Sequence, residues 1–364
     1  MTGATGFLGL HLLSELAART EAEIYCLVRA ADRDEALARL ESGLRHYRLW
    51  RPDSSSRIVP VVGDLAEPRF GTKTEDFHML SQADAIVHNG ARVNHAEPYA
   101  RLRGANVVGT RAVLRSALSR GIPVHIVSTT SVAVAHGRSP DEPVLESDRP
   151  SLSELPGGGY TMTKWVGEEL MAQAAASGLP VAVYRPDRVC GRAHVGAVST
   201  NDAFWTLVRA AVVLGAVPTE DAEIRLIPAD YVAAAVVHIL LHGAATQVHH
   251  LVNHTSIPLT DLWDSLRHRG YRLAPLPISE LAARLTTSGA GDDPGLARAV
   301  VLSQQSGPGT AEFDDANTAA ALAESAISCP PMTIDLLDRH LDHLIEIGFL
   351  PPPAITGQRE GTGW

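Results

Sequence analysis

The chain has 364 residues, of which 45% are hydrophobic and 20% charged, a composition that supports one large core or two unequal ones and excludes disorder. The formal net charge of −10 leaves no basic stripe for a nucleic acid or an anionic membrane, partners held mainly through Lys and Arg. Three scattered cysteines, Cys26, Cys190 and Cys329, argue against a disulfide framework or a zinc cluster, and without a signal peptide after Met1 the expected setting is a reducing, cytoplasmic one.

In chain order, the sequence opens on "MTGATGFLGL", with Gly3, Gly6 and Gly9 at every third position and an apolar helix expected from Phe7. Glycines so spaced let the backbone turn tightly and approach a pyrophosphate, whose charge then rests on the helix N-terminus; a plain turn is the other reading. A buried strand normally feeds such a loop, and here only Met1 precedes Thr2. The expectation is therefore a sheet whose first strand is missing from the sequence and a natural chain that extends upstream. Loss of a central strand would leave the ladder groups of its neighbours unpaired.

Apolar runs at 23–30, 57–65, 83–91, 124–132 and 181–189 read as short buried strands, with helical patterns at 7–20, 99–121 and 160–178. Alternation of this kind predicts an α/β fold built on a doubly wound parallel sheet. Past Val189 the rhythm loosens. Residues 191–225 read as helical, 226–254 return as strand, helix and strand, and 255–353 are mostly helical before a tail at 354–364. The expected division is a nucleotide-binding domain, 1–190 with 226–254, and a smaller, mostly helical substrate-binding part, 191–225 with 255–353. Residues 231–252 lack Asp, Glu, Lys and Arg, but four histidines and Gly243 break the run, which therefore reads as helix, loop and strand and not as a membrane span.

The strand at 23–30 ends in Arg29, where an NAD site would place an acid for the ribose 2′-hydroxyl. A cation there suits a 2′-phosphate and so favours NADPH. Arg39 is a second candidate for the same phosphate, with a solvated surface arginine as the other reading. Asp64, beside Leu65 after another strand, is placed to meet the adenine amino group or simply to cap a turn.

Tyr160 and Lys164 stand four apart at the start of a helix in "GYTMTKWVGEEL", so they share a face. An ammonium beside a phenol, whose ordinary pKa is near ~10, favours its ionised form. Such a tyrosine passes protons to or from an oxygen next to a hydride donor. The preceding strand end offers Ser128, Thr129, Thr130 and Ser131 to orient that oxygen. No metal site is expected: "HILLH" at 238–242 lacks the glutamate of a zinc-protease helix, and His340 and His343 share a helix with Asp338 and Asp342 that reads as a solvated face. There is no G-x-S-x-G, which disfavours a serine thioesterase.

Through the glycine loop, "HNGA" at 88–91, Asn106 with Gly109-Thr110, "STTSV", Tyr160/Lys164 and "YRP" at 184–186, the sequence resembles the extended short-chain dehydrogenase/reductases. The resemblance implies a Rossmann-type sheet, with cofactor contacts from Gly3, Thr5, Gly6, Phe7, Leu8, Gly9, Arg29, Arg39, Asp64, Leu65, Asn89, Gly90, Ala91, Lys164, Tyr184, Pro186 and Val189. It makes Thr129 the third catalytic residue beside Tyr160 and Lys164, with Thr130 as fallback, and gives Lys164 the nicotinamide ribose hydroxyls. Within that superfamily "TGATGFLG", "GDLAEPRFG", "VHNGARVNH", "ANVVGTRAVL", "IPADYVAAAVVHI" and the ending "GFLPPP" resemble the thioester reductase domains of nonribosomal peptide and polyketide synthetases and of carboxylic acid reductases. That branch implies NADPH-dependent reduction of a phosphopantetheine-bound acyl thioester to an aldehyde, sometimes onward to an alcohol, by a monomer or by one domain of a multidomain synthetase. A misplaced start or excision from such a synthetase would account for the missing strand.

Asp187 departs from the pattern, since a glycine is common after that proline. No phosphopantetheine attachment signature is evident, so the acyl group is expected on a separate carrier protein domain. Two alternatives remain: a nucleotide-sugar epimerase or dehydratase, disfavoured by Arg29, and a non-catalytic NADP sensor, which would not need the Tyr160 acid.

Overall fold

The computed structural model describes residues 1–287 and 311–353, apart from Pro140, Pro156, Ala244 and Ala245. Short β-branched runs form parallel strands here because helices cover both faces of the sheet. The strands are β1 (Ile24–Val28), β2 (Ile58–Val62), β3 (Ile86–His88), β4 (Val124–Val127), β5 (Val181–Pro186) and a last one at Gln247–Leu251. β1 pairs with β2, β3 with β4, β4 with β5, and β5 with the last strand, all in parallel.

Met1 and Thr2 lie between these two groups and join them. Thr2 bridges Leu27 on one side and His88 on the other. The Thr2 amide donates to the Val87 carbonyl at 2.9 Å, and the Leu27 amide donates to the Met1 carbonyl at 3.0 Å. The resulting order is β2, β1, Thr2, β3, β4, β5 and the last strand.

One face packs on α1 (Phe7–Arg19) and the helix Ala229–His242, through Leu10, Leu13, Val232 and Val236 against Cys26, Val28, Val87 and Val127. The other packs on the helices Gly109–Leu118 and Gly159–Ala176, through Val113, Leu114 and Met171 against Ile126 and Val183. Each such side chain contributes about 1.5–3 kcal/mol when fully buried.

The chain divides into two compact units, Met1–Val189 with Ile227–Val252 and Ala311–Pro330, and Cys190–Leu226 with Asn253–Thr310 and Pro331–Trp364. The segment Ala311–Pro330 departs from the expected division, which grouped it with the helical part. The physical reason is specific. Val144 pairs with Phe313, and the buried Glu146 carboxylate accepts from the amides of His250 at 2.8 Å and Asn317 at 2.6 Å. In the second unit, the helices Ala203–Leu214, Leu259–His268 and Ile334–Glu346 share a core that includes Trp205, Leu262, Leu337 and Leu341. His340 is a correction: the helix does carry Asp338 and Asp342, but His340 is fully buried, in a T-shaped contact with Trp205. Among the described residues no helix is long and apolar enough to cross a membrane.

Candidate functional site

The glycine loop fits an anionic ligand for reasons visible in its backbone. Gly3 has φ +69, and a Cβ there would lie 2.7 Å from Gly90 Cα; a Cβ on Gly9 would lie 1.9 Å from the Gly3 carbonyl oxygen. These two glycines let the turn, the start of α1 and the end of β3 approach one another. Gly6, at the N-cap of α1, supplies no side-chain cap, and the first turn carries no acid. The N–H groups and positive dipole end of a 13-residue helix are thus left for a phosphate. Thr5, Phe7 and Leu8 are half-buried around this turn. Asn89 Nδ2 donates to the Gly3 carbonyl at 3.3 Å, so Asn89, Gly90 and Ala91 line the loop from the β3 side.

At the end of β1, Arg29 is exposed, and among the described residues its guanidinium has no partner. Arg39 Nη1 donates to the Arg29 carbonyl oxygen, which brings the two candidate arginines to one spot. Asp64 Oδ1 accepts from the Ala66 amide at 2.9 Å, the capping use weighed from sequence. Leu65 lies under Gly90 and Gly109, where an added Cβ would come within 2.5 Å and 3.0 Å of it. Pro186 is buried at the end of β5, and Val189 is half-buried beyond it.

Of Tyr184, another candidate cofactor residue, only the main chain lies near the strand ends. Its ring is fully buried between His125, at 6.0 Å, and His249, at 5.5 Å, and its hydroxyl bonds His125 Nδ1 at 2.8 Å. Alternation along β5 turns this ring into the core, and only its main chain stays near the strand ends, accepting from the Ser128 amide at 2.6 Å.

The candidate catalytic residues lie where β4 meets the helix Gly159–Ala176. Lys164 is buried, and Nζ donates to the Val127 carbonyl at 2.6 Å, joining helix to strand end. A second link runs between the hydroxyls of Ser131 and Thr161 at 3.4 Å. Thr129 is half-buried, its hydroxyl 3.2 Å from that of Ser131. Thr130 is buried, and its hydroxyl donates to Asp187 at 3.5 Å, which leaves Thr129 as the more accessible of the two. The Asp187 carboxylate, the departure seen in sequence, therefore sits beside the Thr129-Thr130 pair.

Burial pushes the Lys164 ammonium down to about 8, partly offset by the Glu168 carboxylate. Burial pushes the Tyr160 phenol up to about 12. This differs from the depression expected beside an ammonium, because desolvation of the buried phenol prevails. Among the described residues the Tyr160 hydroxyl makes no hydrogen bond.

Two residues that stood in the sequence as motif positions, without a role, turn out to support this site. His88 is fully enclosed between threonines, with Thr2 Oγ1 2.8 Å from Nδ1 and Thr110 Oγ1 2.9 Å from Nε2. The Thr110 hydroxyl donates to the Asn106 carbonyl at 2.7 Å, so Nε2 carries the proton and Nδ1 accepts from Thr2. Thr2 Oγ1 in turn accepts from the Gly90 amide at 3.0 Å. Burial and then the Lys164 charge hold His88 down at about 3, so it is neutral. Asn106, inside a π-helical turn at Gly104–Val108, grips the Arg92 peptide at both ends, at 2.7 and 3.1 Å, and donates to Thr163 Oγ1 at 2.9 Å. The spacing of the "HNGA" and Asn106 motifs was visible; that they form one polar frame was not.

A glycine-lined helix N-terminus beside a Tyr/Lys pair on a parallel sheet defines an NAD(P)-dependent oxidoreductase with an extended short-chain dehydrogenase fold. Residues 1–236 match the NAD-binding family described as "Male sterility protein", and the chain belongs to that family. Over 97% of its length it superposes, with TM-score 0.88 and 40% identity, on 91% of the terminal R domain from the myxalamid PKS-NRPS biosynthetic pathway. It is 39% identical over 369 residues to the isonitrile lipopeptide synthase of Streptomyces coeruleorubidus, covering 97% of this chain and 25% of that protein. With a linear gramicidin synthase of Brevibacillus parabrevis it shares 34% identity over 358 residues, 96% of this chain and 7% of that one. The chain thus spans a quarter or less of these two curated relatives. Among the described residues no group of His, Cys, Asp and Glu is arranged to hold a metal.

Proposed function

We propose that the chain carries out the NADPH-dependent reductive release of an acyl or peptidyl group held as a phosphopantetheine thioester on a carrier protein domain, giving an aldehyde and the free thiol. The observation that carries this reading is the 40% identity over 97% of the chain to a terminal R domain. Gly3, Gly9 and the uncapped N-terminus of α1 would hold the pyrophosphate, Arg29 and Arg39 the 2′-phosphate, and Lys164 the nicotinamide ribose. The second unit, in this reading, recognises the acyl chain and its carrier.

Bound NADPH supplies the hydride. Thr129 and Tyr160 donate hydrogen bonds to the thioester carbonyl oxygen, where negative charge grows in the transition state. Tyr160 then gives its proton to that oxygen. A phenol held near 12 is protonated at neutral pH and so is ready as an acid; the growing oxyanion supplies the base. The resulting hemithioacetal expels the thiol and leaves the aldehyde. A second hydride would take the aldehyde to an alcohol, and the ratio of NADPH consumed to thiol released reads one against two.

The test follows NADPH absorbance with an acyl-pantetheine thioester and with a sugar nucleotide. Consumption with the thioester alone is expected, and consumption with the sugar nucleotide alone overturns the reading. Tyr160→Phe is expected to slow turnover by roughly 10²–10⁴-fold, the usual range for loss of a general acid, while NADPH binding is retained. Wild-type turnover in that variant would refute the role of Tyr160.

A further inference from the structure

Tyr160 carries the proton in the proposed reaction, yet little in its own helix fixes its ring. It is the second residue of that helix, after Gly157 and Gly158 at φ +88 and +91, where an added Cβ would meet nothing within 4 Å. Its hydroxyl makes no hydrogen bond among the described residues. Across from it, the His95 ring stands edge to face, with centroids 4.9 Å apart and planes at 66°.

The loop that bears His95 is tied to the Tyr160 helix at both ends, at one through Asn106 and at the other directly. At one end Asn106 grips the Arg92 peptide and donates to Thr163 Oγ1 at 2.9 Å, while the Thr163 hydroxyl donates to the Tyr160 carbonyl at 2.8 Å. At the other end Gly159 lets the chain pass so closely that a Cβ there would lie 2.3 Å from the Glu97 carbonyl oxygen and 2.5 Å from the Tyr99 amide. An Arg92–Glu97 ion pair and the Asn94 carboxamide, accepting from the Ala96 amide at 3.0 Å, shape the arch between them. Two anchors to the helix that carries Tyr160, one through Asn106 and one at Gly159, thus set His95 against the Tyr160 ring.

We infer that His95 is a positioning residue, which fixes the orientation of the Tyr160 phenol through the edge-to-face contact of the two rings. The inference takes its substrate and the role of Tyr160 as proton donor from the proposed function. Displacing a proton donor by about 1 Å costs on the order of 10²-fold in rate. His95→Ala is therefore expected to lower kcat for thioester reduction by roughly 10- to 100-fold, with KM and the NADPH dissociation constant little changed. His95→Phe, which keeps a ring edge and loses the imidazole nitrogens, is expected to restore most of that loss.

A readout independent of turnover is the ring NMR signal of Tyr160, identified among the seven tyrosines as the one absent in Tyr160→Phe. That signal is expected to move in His95→Ala and to stay displaced from its unfolded position in His95→Phe. An unmoved signal in His95→Ala overturns the inference, and so does a His95→Phe enzyme as slow as His95→Ala. Should the wild type leave thioesters untouched while the signal depends on His95, the proposed function fails and the positioning role stands.

Discussion

Single side chains set two features of the proposed chemistry, its pH limit and its choice of cofactor. Lys164 titrates near 8 because burial disfavours its charge. If the ammonium holds the ribose, activity is complete below that value and is lost as pH rises through it. The value of kcat/KM for NADPH is expected to fall above about pH 8, and Lys164→Arg, whose cation does not titrate in that range, to move the fall upward at a lower plateau. A profile flat to pH 10, roughly where an ordinary lysine titrates, would remove the lysine from the step. Arg29 decides the second feature. A charge-assisted bond to a phosphate is worth about 1.5–3 kcal/mol, so Arg29→Asp should cost NADPH roughly 10- to 100-fold in kcat/KM and spare NADH. Equal losses with both cofactors would place Arg29 outside the 2′-phosphate site.

At the scale of elements, the glycine loop and the start of α1 give a graded test, because three glycines of one motif are used differently. A Cβ on Gly9 meets a backbone oxygen at 1.9 Å, whereas one on Gly6 lies 3.4 Å from the same atom. Gly9→Ala is expected to push α1 off the loop, weakening NADPH binding more than about 10-fold and lowering the melting temperature. Gly6→Ala is expected to change the melting temperature little, and equal effects in the two variants would refute the steric account. The spacing of the three glycines was legible in sequence; which of them touches backbone was not.

The same contrast runs through the molecule. The strands were legible because their apolar runs are short and bounded, and Tyr160 and Lys164 because a spacing of four puts them on one face. The burial of the Tyr184 ring was not legible because a motif names a position without saying which way a strand turns the side chain. The return of Ala311–Pro330 to the first unit depends on Glu146 meeting the amides of Asn317 and Thr318, pairs separated by more than a hundred residues. No local pattern announces such a contact.

For the molecule as a whole, the unusual burden is buried histidine. His88 is held at about 3, and His125, His249, His250 and His340 at about 4, in each case first by burial. All five are neutral in the native state and titrate near ~6.5 once unfolded. Their contribution is therefore complete above about pH 6.5 and is lost as pH falls toward 4, by up to about 1.4 kcal/mol per pH unit for each histidine. Glu146, pushed up by burial, works in the opposite direction, but it is one group against five. The protein should consequently lose stability to denaturant steeply between about pH 6.5 and 5, before most carboxylates titrate. His249 offers the cleanest single test, since neither ring nitrogen has a partner among the described residues and its ring stacks on Tyr184. His249→Phe should keep the stacking and the stability at pH 7, and it should flatten the acid slope by about one proton's worth. A slope unchanged in that variant, or stability flat from pH 7 to 5 in the wild type, would show that these histidines take up protons without leaving the native fold.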